Sequence, residues 1–306
     1  MKPILAALVL LSAACSGGEG IETTGPDSSP DSTGSPTTTS TTALEPREAR
    51  VEWLGGERPA RLVIPPEWEA SDPAWPLVLL LHGYGAGGEL QDVYLGLSAR
   101  GDELGYLTLT PDGTKDPTGN RFWNVTGSTR PVDDVAYLEG LIVEAIAGFN
   151  VDPAQVYVVG HSNGGYMAHK LACDIPARVA GIAAIAGGIF GLGAGCDEPV
   201  PVIMIQGTDD ATVPYEGGVF LGGRILGAED TVARWREIAG CSEAATEEGQ
   251  YDFDLLADGE ETSITAWRDC VDHFSVELWA MAGSGHIPAF RPSFRTTLLE
   301  RLLGIG

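Results

Sequence analysis

Short apolar runs alternate along the chain with stretches that have the periodicity of an amphipathic helix. Several of these runs contain no polar alternation, as expected for strands buried on both faces of a mainly parallel sheet. The predicted strands are Leu62–Ile64, Leu77–Leu81, Leu107–Leu109, Val156–Val159, Ile182–Ala186, Val202–Ile205 and Val276–Trp279. The predicted helices are Val135–Phe149, Tyr166–Cys173, Thr231–Ala239 and Phe294–Leu303. This alternation predicts an α/β fold with a doubly wound, mostly parallel sheet and helices on both faces.

The stretch Val179–Gly195 contains no charged residue, which raises the question of a transmembrane helix. It is shorter than the roughly 20 residues that a helix needs to span a bilayer. Glycines also interrupt it repeatedly, and glycine is unfavourable inside a helix. We therefore interpret the stretch as a buried strand followed by a glycine-rich loop.

The charge of the chain excludes some classes of partner. Its 306 residues include 18 Lys and Arg against 43 Asp and Glu, a formal net charge of −25. Such a chain lacks the clustered cations that bind a nucleic-acid backbone or an anionic membrane surface, so we expect no nucleic-acid partner. Hydrophobic residues make up 43% of the chain, which is enough to bury a sizeable core.

The N-terminal residues are typical of a secretory signal peptide. A short cationic start leads into the apolar run Ile4–Leu11, and the small residues Ser12–Ala14 then precede Cys15. This arrangement resembles a bacterial lipobox, in which the signal is removed and the cysteine receives a lipid. Ser12 replaces the usual aliphatic residue, so cleavage to a soluble secreted form is the alternative. We expect a signal peptide at 1–14 and lipidation of Cys15.

The segment that follows is built mostly from Ser, Thr, Gly and Pro. Such a composition buries too little apolar surface to offset the entropy of ordering, so residues 15–46 are predicted to be the lipid-bearing cysteine and a flexible linker. The remaining residues, 47–306, are predicted to form one domain.

Four cysteines remain when Cys15 is set aside, and an even number in an exported chain suggests two disulfides. Four cysteines allow three pairings. We favour Cys173–Cys196 and Cys241–Cys270 because each closes a short local loop. A zinc site is the competing interpretation, but no CxxC motif or neighbouring histidine supports it, so we expect no metal.

The sequence Gly160-His161-Ser162-Asn163-Gly164 fits the pattern G-x-S-x-G. The motif alone is weak in a glycine-rich chain, but here it follows the predicted strand Val156–Val159 and precedes a predicted helix. A strand-to-helix elbow holds the serine in a tight turn from which its hydroxyl projects. Ser162 is therefore the candidate nucleophile.

A serine hydroxyl needs a base to take its proton and an acid to orient that base. In this type of fold the acid and then the histidine follow the serine along the chain. Asp209 and Asp210 follow the predicted strand Val202–Ile205, and His286 follows the strand that begins at Val276. All of these lie after strand ends, where such folds place their sites.

The tetrahedral intermediate of acyl transfer needs backbone donors for its oxyanion. The sequence Leu81-His82-Gly83-Tyr84-Gly85 directly follows a strong predicted strand and has suitable glycines. We predict that the amides of Tyr84 and Asn163 are the two donors.

Taken together, these motifs resemble the secreted polyhydroxybutyrate depolymerase and feruloyl esterase family. The resemblance covers about Arg61 to the end of the chain. It rests on Leu81-His82-Gly83-Tyr84-Gly85, Pro111-Asp112-Gly113-Thr114, Arg121-Phe122-Trp123-Asn124, Val132-Asp133-Asp134-Val135, Gly160-His161-Ser162-Asn163-Gly164-Gly165-Tyr166-Met167 and Gly207-Thr208-Asp209-Asp210 with Val213-Pro214-Tyr215.

The resemblance implies an α/β-hydrolase fold and a Ser–Asp–His triad that needs no cofactor. The Gly-Thr-x-Asp pattern of the family selects Asp210 as the acid. The chain departs from the family at Gln206, often a histidine, which we expect not to affect the triad, and at Ile287, where many members have tryptophan. Trp123 is a candidate substrate contact, with core packing as the alternative.

We therefore expect a serine carboxylic-ester hydrolase, similar to polyhydroxybutyrate depolymerase or feruloyl esterase, that acts outside the cytoplasm. Its partner is an ester, polymeric or small, of plant cell-wall or polyester origin. Contact with the outer face of a bacterial membrane is expected only through the lipid anchor. The alternatives are a peptidase or lipase on the same fold, or a non-catalytic surface lipoprotein that binds polysaccharide.

Overall fold

A computed structural model describes residues 48–126, 132–191, 195–220 and 223–305. The predicted signal peptide, the lipidation site Cys15 and the linker up to residue 46 lie outside these described residues.

The strands are β1 (Arg50–Leu54), β2 (Ala60–Ile64), β3 (Trp75–Leu81), β4 (Leu107–Thr110), β5 (Thr114–Lys115), β6 (Arg121–Phe122), β7 (Val151–His161), β8 (Gly181–Ile185), β9 (Val202–Gly207), β10 (Gly217–Phe220), β11 (Gly223–Leu226), β12 (Thr246–Tyr251), β13 (Thr262–Trp267) and β14 (Val276–Met281). The helices are α1 (Gly88–Leu95), α2 (Gly101–Leu104), α3 (Asp134–Gly148), α4 (Asn163–Asp174), α5 (Ala228–Ile238) and α6 (Pro292–Leu303).

Within the described residues, ten strands form one sheet in the order β1-β2-β4-β3-β7-β8-β9-β14-β13-β12. The six strands from β4 to β14 are parallel, and antiparallel strands extend the sheet at both edges. Two small hairpins, β5-β6 and β10-β11, lie outside it. Because the central strands are parallel, the loops that follow them all leave from one edge of the sheet.

Helices cover both faces of the sheet, and each face has its own apolar core. Side chains of α3, α4 and α5 pack with one set of strand residues, including Leu79 and Val158. Side chains of α1 and α6 pack on the opposite face with the alternate strand residues, including Leu80 and Val159. Successive strand side chains point to opposite faces, so a strand covered on both faces is continuously apolar. The predicted doubly wound sheet is confirmed.

The interpretation of the uncharged stretch is confirmed for its described residues. Gly181–Ile185 forms the buried strand β8, and the chain then leaves the sheet in a loop. Among the helices that the structure describes, none is both long and apolar enough to cross a bilayer.

Two disulfides connect helix ends to nearby loops. Cys173 is bonded to Cys196, and Cys241 is bonded to Cys270, with 23 and 29 residues of sequence separation. The first joins the last turn of α4 to the loop before β9, and the second joins the end of α5 to the loop after β13. These are the two local pairings that loop length favours.

Candidate active site

The candidate nucleophile lies in the turn between β7 and α4. Ser162 has φ 56° and ψ −117°, a positive-φ conformation that a residue with a side chain rarely adopts. Such a conformation costs on the order of 1–3 kcal/mol and persists only where the surroundings impose it. The backbone N–H of Ser162 donates to the carbonyl of Ile185 on β8 at 2.7 Å, and this hydrogen bond fixes the turn against the neighbouring strand.

The glycines of the elbow allow the helix to approach the sheet closely. A Cβ atom on Gly164 would lie 2.2 Å from the carbonyl oxygen of Leu81, the last residue of β3. A Cβ atom on Gly160 would lie 2.1 Å from the carbonyl oxygen of Gly164. Neither position has room for a side chain, so the G-x-S-x-G pattern is a steric requirement of this turn.

The three predicted triad residues meet at the carboxyl edge of the sheet. The Nε2 atom of His286 lies 2.9 Å from the Oγ atom of Ser162. The Nδ1 atom of the same ring lies 2.7 Å from the Oδ2 atom of Asp210. Ser162 follows β7, Asp210 follows β9 and His286 follows β14. These residues, up to 124 positions apart in the sequence, are therefore linked by consecutive hydrogen bonds.

The carboxylate of Asp210 is fully buried and held from several sides. Its Oδ1 atom accepts from the backbone N–H groups of Thr212 and Val213, each at 2.8 Å. Burial alone would raise the pKa of Asp210, but the hydrogen bonds from His286 and from these amides outweigh it, so the pKa is lowered. The acid is therefore ionised at neutral pH and can orient the imidazole.

Gln206, the last-but-one residue of β9, contacts the triad directly. Its Nε2 atom donates to Oδ2 of Asp210 at 2.9 Å and to the carbonyl of Val213 at 3.0 Å. The departure from the family at this position thus places an amide against Asp210 while the hydrogen bonds of His286 to Asp210 and Ser162 are intact, and the expectation that it leaves the triad unaffected stays a prediction. No local pattern signals the contact, because it depends on how the loop after β9 folds back over the strand end.

The backbone N–H groups of Tyr84 and Asn163 make no hydrogen bond within the described part of the chain. Asn163 is the first residue of α4, where the helix dipole favours negative charge. Tyr84 belongs to the loop after β3. Two free amides at a helix start and in a neighbouring loop suit an oxyanion site.

Buried His82 fixes the loop that carries Tyr84. Its Nε2 atom accepts from the backbone N–H of Gly113 at 2.8 Å, so the proton lies on Nδ1, which donates to the carbonyl of Gly83 at 2.7 Å. Burial lowers the pKa of His82, which keeps the ring neutral and preserves this donor–acceptor pattern. The side chain of Gln91 accepts from the backbone N–H of Gly83 as well.

Trp123 is a core residue, and its expected contact with substrate is wrong. Only 1% of its surface is exposed. Its Nε1–H donates to the carbonyl of His82 at 2.9 Å, and its backbone makes two hydrogen bonds with the side-chain amide of Asn163. Trp123 therefore ties the loop after β3 to the start of α4, which are the two segments that carry the candidate oxyanion donors.

Two exposed side chains lie next to the candidate catalytic groups. The ring of Tyr84 is 56% exposed, and its hydroxyl donates to Asp116 at 2.6 Å, which holds the ring in one orientation. Ile287, directly after His286, is 63% exposed. These residues are better placed than Trp123 to touch a bound substrate.

The chain is similar in sequence to proteins that are named esterases. No family model matches the chain. A relative named “Putative esterase NocK” from Nocardia uniformis subsp. tsuyamanensis is 32% identical over 234 residues, 69% of this chain and 64% of that protein. Feruloyl esterase B from Piromyces equi is 33% identical over 151 residues, 45% of this chain and 27% of that protein. The chain thus spans less than two thirds of the length of either relative.

Among solved structures, acetyl xylan esterase from Aspergillus awamori matches with a TM-score of 0.60 and 14% identity, over 84% of this chain and 100% of that chain. Identity this low compares folds and not activities. The match, the parallel sheet and the strand–elbow–helix unit together define the α/β-hydrolase fold. The predicted fold class is confirmed.

Proposed function

We propose that this protein is a serine carboxylic-ester hydrolase with Ser162, His286 and Asp210 as its catalytic triad. The observation that carries the proposal is the unbroken hydrogen-bonded chain from the Ser162 hydroxyl through the His286 ring to Asp210, with distances of 2.9 and 2.7 Å. The esterase names of its relatives support the same class of reaction.

In the first half of the proposed reaction, Ser162 Oγ attacks the ester carbonyl carbon while Nε2 of His286 takes the hydroxyl proton. Asp210 holds the ring and stabilises the imidazolium that forms. The carbonyl oxygen becomes an oxyanion, which the amides of Tyr84 and Asn163 stabilise. When the intermediate collapses, the C–O bond to the alcohol breaks and His286 gives its proton to the leaving alkoxide.

In the second half, water attacks the acyl-serine and His286 takes a proton from it. Collapse of the second intermediate returns the proton to Ser162 Oγ and releases the carboxylic acid. The cycle consumes one water for each ester bond and needs no redox step. As substrates we propose feruloyl, acetyl or hydroxybutyrate esters, polymeric or small, of plant cell-wall or polyester origin.

The test is hydrolysis of a short nitrophenyl ester by the wild-type chain and by Ser162→Ala. We expect the variant to lose at least about a thousandfold in kcat, as when a triad nucleophile is removed. Ser284→Ala is the matched control, because the Ser284 hydroxyl is buried close to the site but has no hydrogen-bond partner among the described residues. Turnover that survives in Ser162→Ala would exclude the assignment.

A panel of feruloyl, acetyl and hydroxybutyrate esters, triglycerides and peptides then identifies the substrate class. We expect cleavage of esters with a short or aromatic acyl group. Preferred cleavage of peptides or of long-chain triglycerides would instead identify a peptidase or a lipase on this fold.

We further propose that the enzyme acts outside the cytoplasm, with a signal peptide at 1–14, a lipid on Cys15 and a flexible linker to residue 46. Two disulfides suit an oxidising compartment. In a bacterial host, the wild-type chain is expected in the membrane fraction and Cys15→Ser in the soluble fraction. Release of the wild-type chain into the medium would favour the secreted form.

A further inference from the structure

We infer that His161, the residue before the candidate nucleophile, is a positioning residue that holds the backbone of His286. Tyr94 supports His161 in this role. The inference rests on the proposed function, because it concerns the base of the same triad. It assigns a role to the first variable position of the G-x-S-x-G motif, which the sequence pattern leaves open.

The contact joins the end of one central strand to the loop after another. His161 is buried, and its Nε2–H donates to the backbone carbonyl of His286 at 2.9 Å. The centroids of the two rings are 5.2 Å apart. Two successive residues therefore contact His286. The ring of His161 binds its backbone carbonyl, and the hydroxyl of Ser162 binds its ring.

The backbone of residues 285–287 has little other support. Within the described residues, the bond from His161 is the sole hydrogen bond that this tripeptide backbone makes. The chain on either side is fixed, since Asp209 donates to the carbonyl of Ser284 and Ala289 donates to the carboxylate of Asp254. Without the hydrogen bond from His161, residues 285–287, which include His286, are held only by their side chains.

Tyr94 of α1 supports the arrangement from the other side. Its ring packs edge-on against His161 with centroids 5.5 Å apart. Its hydroxyl donates to the carbonyl of Pro288 at 2.8 Å. His161 and Tyr94 thus contact each other and donate to carbonyls two residues apart on the same loop.

The charge state of His161 suits this role. Burial lowers its pKa to about 4, so the ring is neutral at neutral pH. The titratable groups that face it are Tyr94, His286 and, more distantly, Asp210. A neutral neighbour places no positive charge beside the imidazolium that His286 becomes during turnover, whereas a protonated one would oppose it.

The test uses His161→Phe, which keeps a ring against Tyr94 but removes the donor, and His161→Gln, which keeps an N–H at similar reach. We expect His161→Phe to lower kcat by about 10- to 100-fold, as for a small misplacement of a catalytic group, with KM almost unchanged. The rate at which a fluorophosphonate labels Ser162 should fall by a similar factor. His161→Gln should recover most of both rates.

His169→Phe is the matched control. His169 is also buried and lies on α4, but its ring accepts a hydrogen bond from Trp235, away from the triad. It is expected to lower stability while kcat and labelling stay near wild type. Tyr94→Phe should have a smaller effect than His161→Phe, and the double variant should lose less than the product of the two losses, because both donors hold one loop.

A readout that does not depend on turnover is the low-field NMR signal of the His286 Nδ1 proton that Asp210 accepts. We expect this signal in the wild type and in His169→Phe, and its loss or exchange broadening in folded His161→Phe. An unchanged signal in His161→Phe would overturn the inference, whether or not the protein hydrolyses esters. Failure of the proposed function would appear separately, as a wild type that is neither labelled nor active.

Discussion

The side-chain amide of Gln206 lies 2.9 Å from the same carboxylate oxygen of Asp210 that His286 contacts at 2.7 Å. With two backbone amides on the other oxygen, the carboxylate accepts four hydrogen bonds in a buried position. The amide of Gln206 also holds the carbonyl of Val213, so one side chain fixes both the acid and the loop that carries it. Gln206 therefore helps to hold the aspartate of the proposed triad in place.

Two substitutions of Gln206 test this contact. Gln206→Met removes the hydrogen bond to Asp210, and Gln206→Glu also places a second carboxyl group beside it. Methionine removes a hydrogen bond to a charged group, worth about 1.5–3 kcal/mol, and should lower stability and kcat modestly. Glutamate places a second carboxyl against Asp210, and like charges raise the pKa of such a pair. The acid limb of the kcat/KM profile should then move to higher pH in Gln206→Glu only. Identical pH profiles for the two variants would contradict this.

Buried neutral histidines should make the fold sensitive to mild acid. Burial lowers the pKa of His161 to about 4 and that of His169 to about 3, against 6.5 for a free imidazole. Below pH 6.5 the unfolded chain binds these protons and the folded chain does not. The stability that these two histidines contribute is therefore fully present above pH 6.5 and is lost as the pH falls toward their folded pKa values. Each group contributes a slope of about 1.4 kcal/mol per pH unit in that window.

Urea unfolding at several pH values between 7 and 5 measures this slope. Few carboxylates titrate in that range, so the histidines should dominate the change. His169→Phe should remove about half of the contribution from His161 and His169. A free energy of unfolding that stays flat from pH 7 to pH 5 would refute the linkage.

Two helical glycines should respond in opposite ways to alanine. In Gly164→Ala the new Cβ would lie 2.2 Å from the carbonyl oxygen of Leu81, so we expect a loss of about 1–3 kcal/mol or more from overpacking. A Cβ atom on Gly140, in α3, would meet no atom within 4 Å apart from its chain neighbours and the backbone of its own helix, so Gly140→Ala should gain about 0.5–1 kcal/mol. Thermal unfolding compares the two directly, and equal shifts would contradict the steric account.

Removal of either disulfide should destabilise the domain. Cys173→Ala with Cys196→Ala, and Cys241→Ala with Cys270→Ala, are each expected to lower the free energy of unfolding by about 2–5 kcal/mol. Titration of the denatured wild-type domain with a thiol reagent provides the control. It should find no free thiol before reduction and four after it.

The centre of the fold was predictable, and its edges were not. Strands such as β7 and β9 are buried on both faces, so continuous apolar runs identify them. The edge strand β12 reads Thr-Glu-Glu-Gly-Gln-Tyr and is mostly exposed, and its partner β13 alternates buried and half-buried residues. Helix α1 is short, and two of its apolar side chains, Leu90 and Val93, face solvent. Nothing in their local sequence separates these elements from loops.

The same division holds at the site. The meeting of Ser162, Asp210 and His286 at one place was predictable because motifs and strand ends mark these residues, and their catalytic roles stay a proposal. Gln206, His161 and Tyr94 were not predictable, since their roles arise from contacts between segments far apart in the chain. Trp123 was predicted to lie near the site, but its role could not be read from the sequence. An aromatic residue in such a loop has the same local pattern whether it faces substrate or supports the backbone.

The disulfide between Cys241 and Cys270 closes the base of the excursion that contains β12 and β13. Insertions or deletions within that excursion leave the positions of its two ends unchanged. The tip of the excursion meets the loop after His286, where Asp254 accepts from Ala289. The length and sequence of this segment can therefore change while the parallel strands that end at Ser162, Asp210 and His286 keep their register.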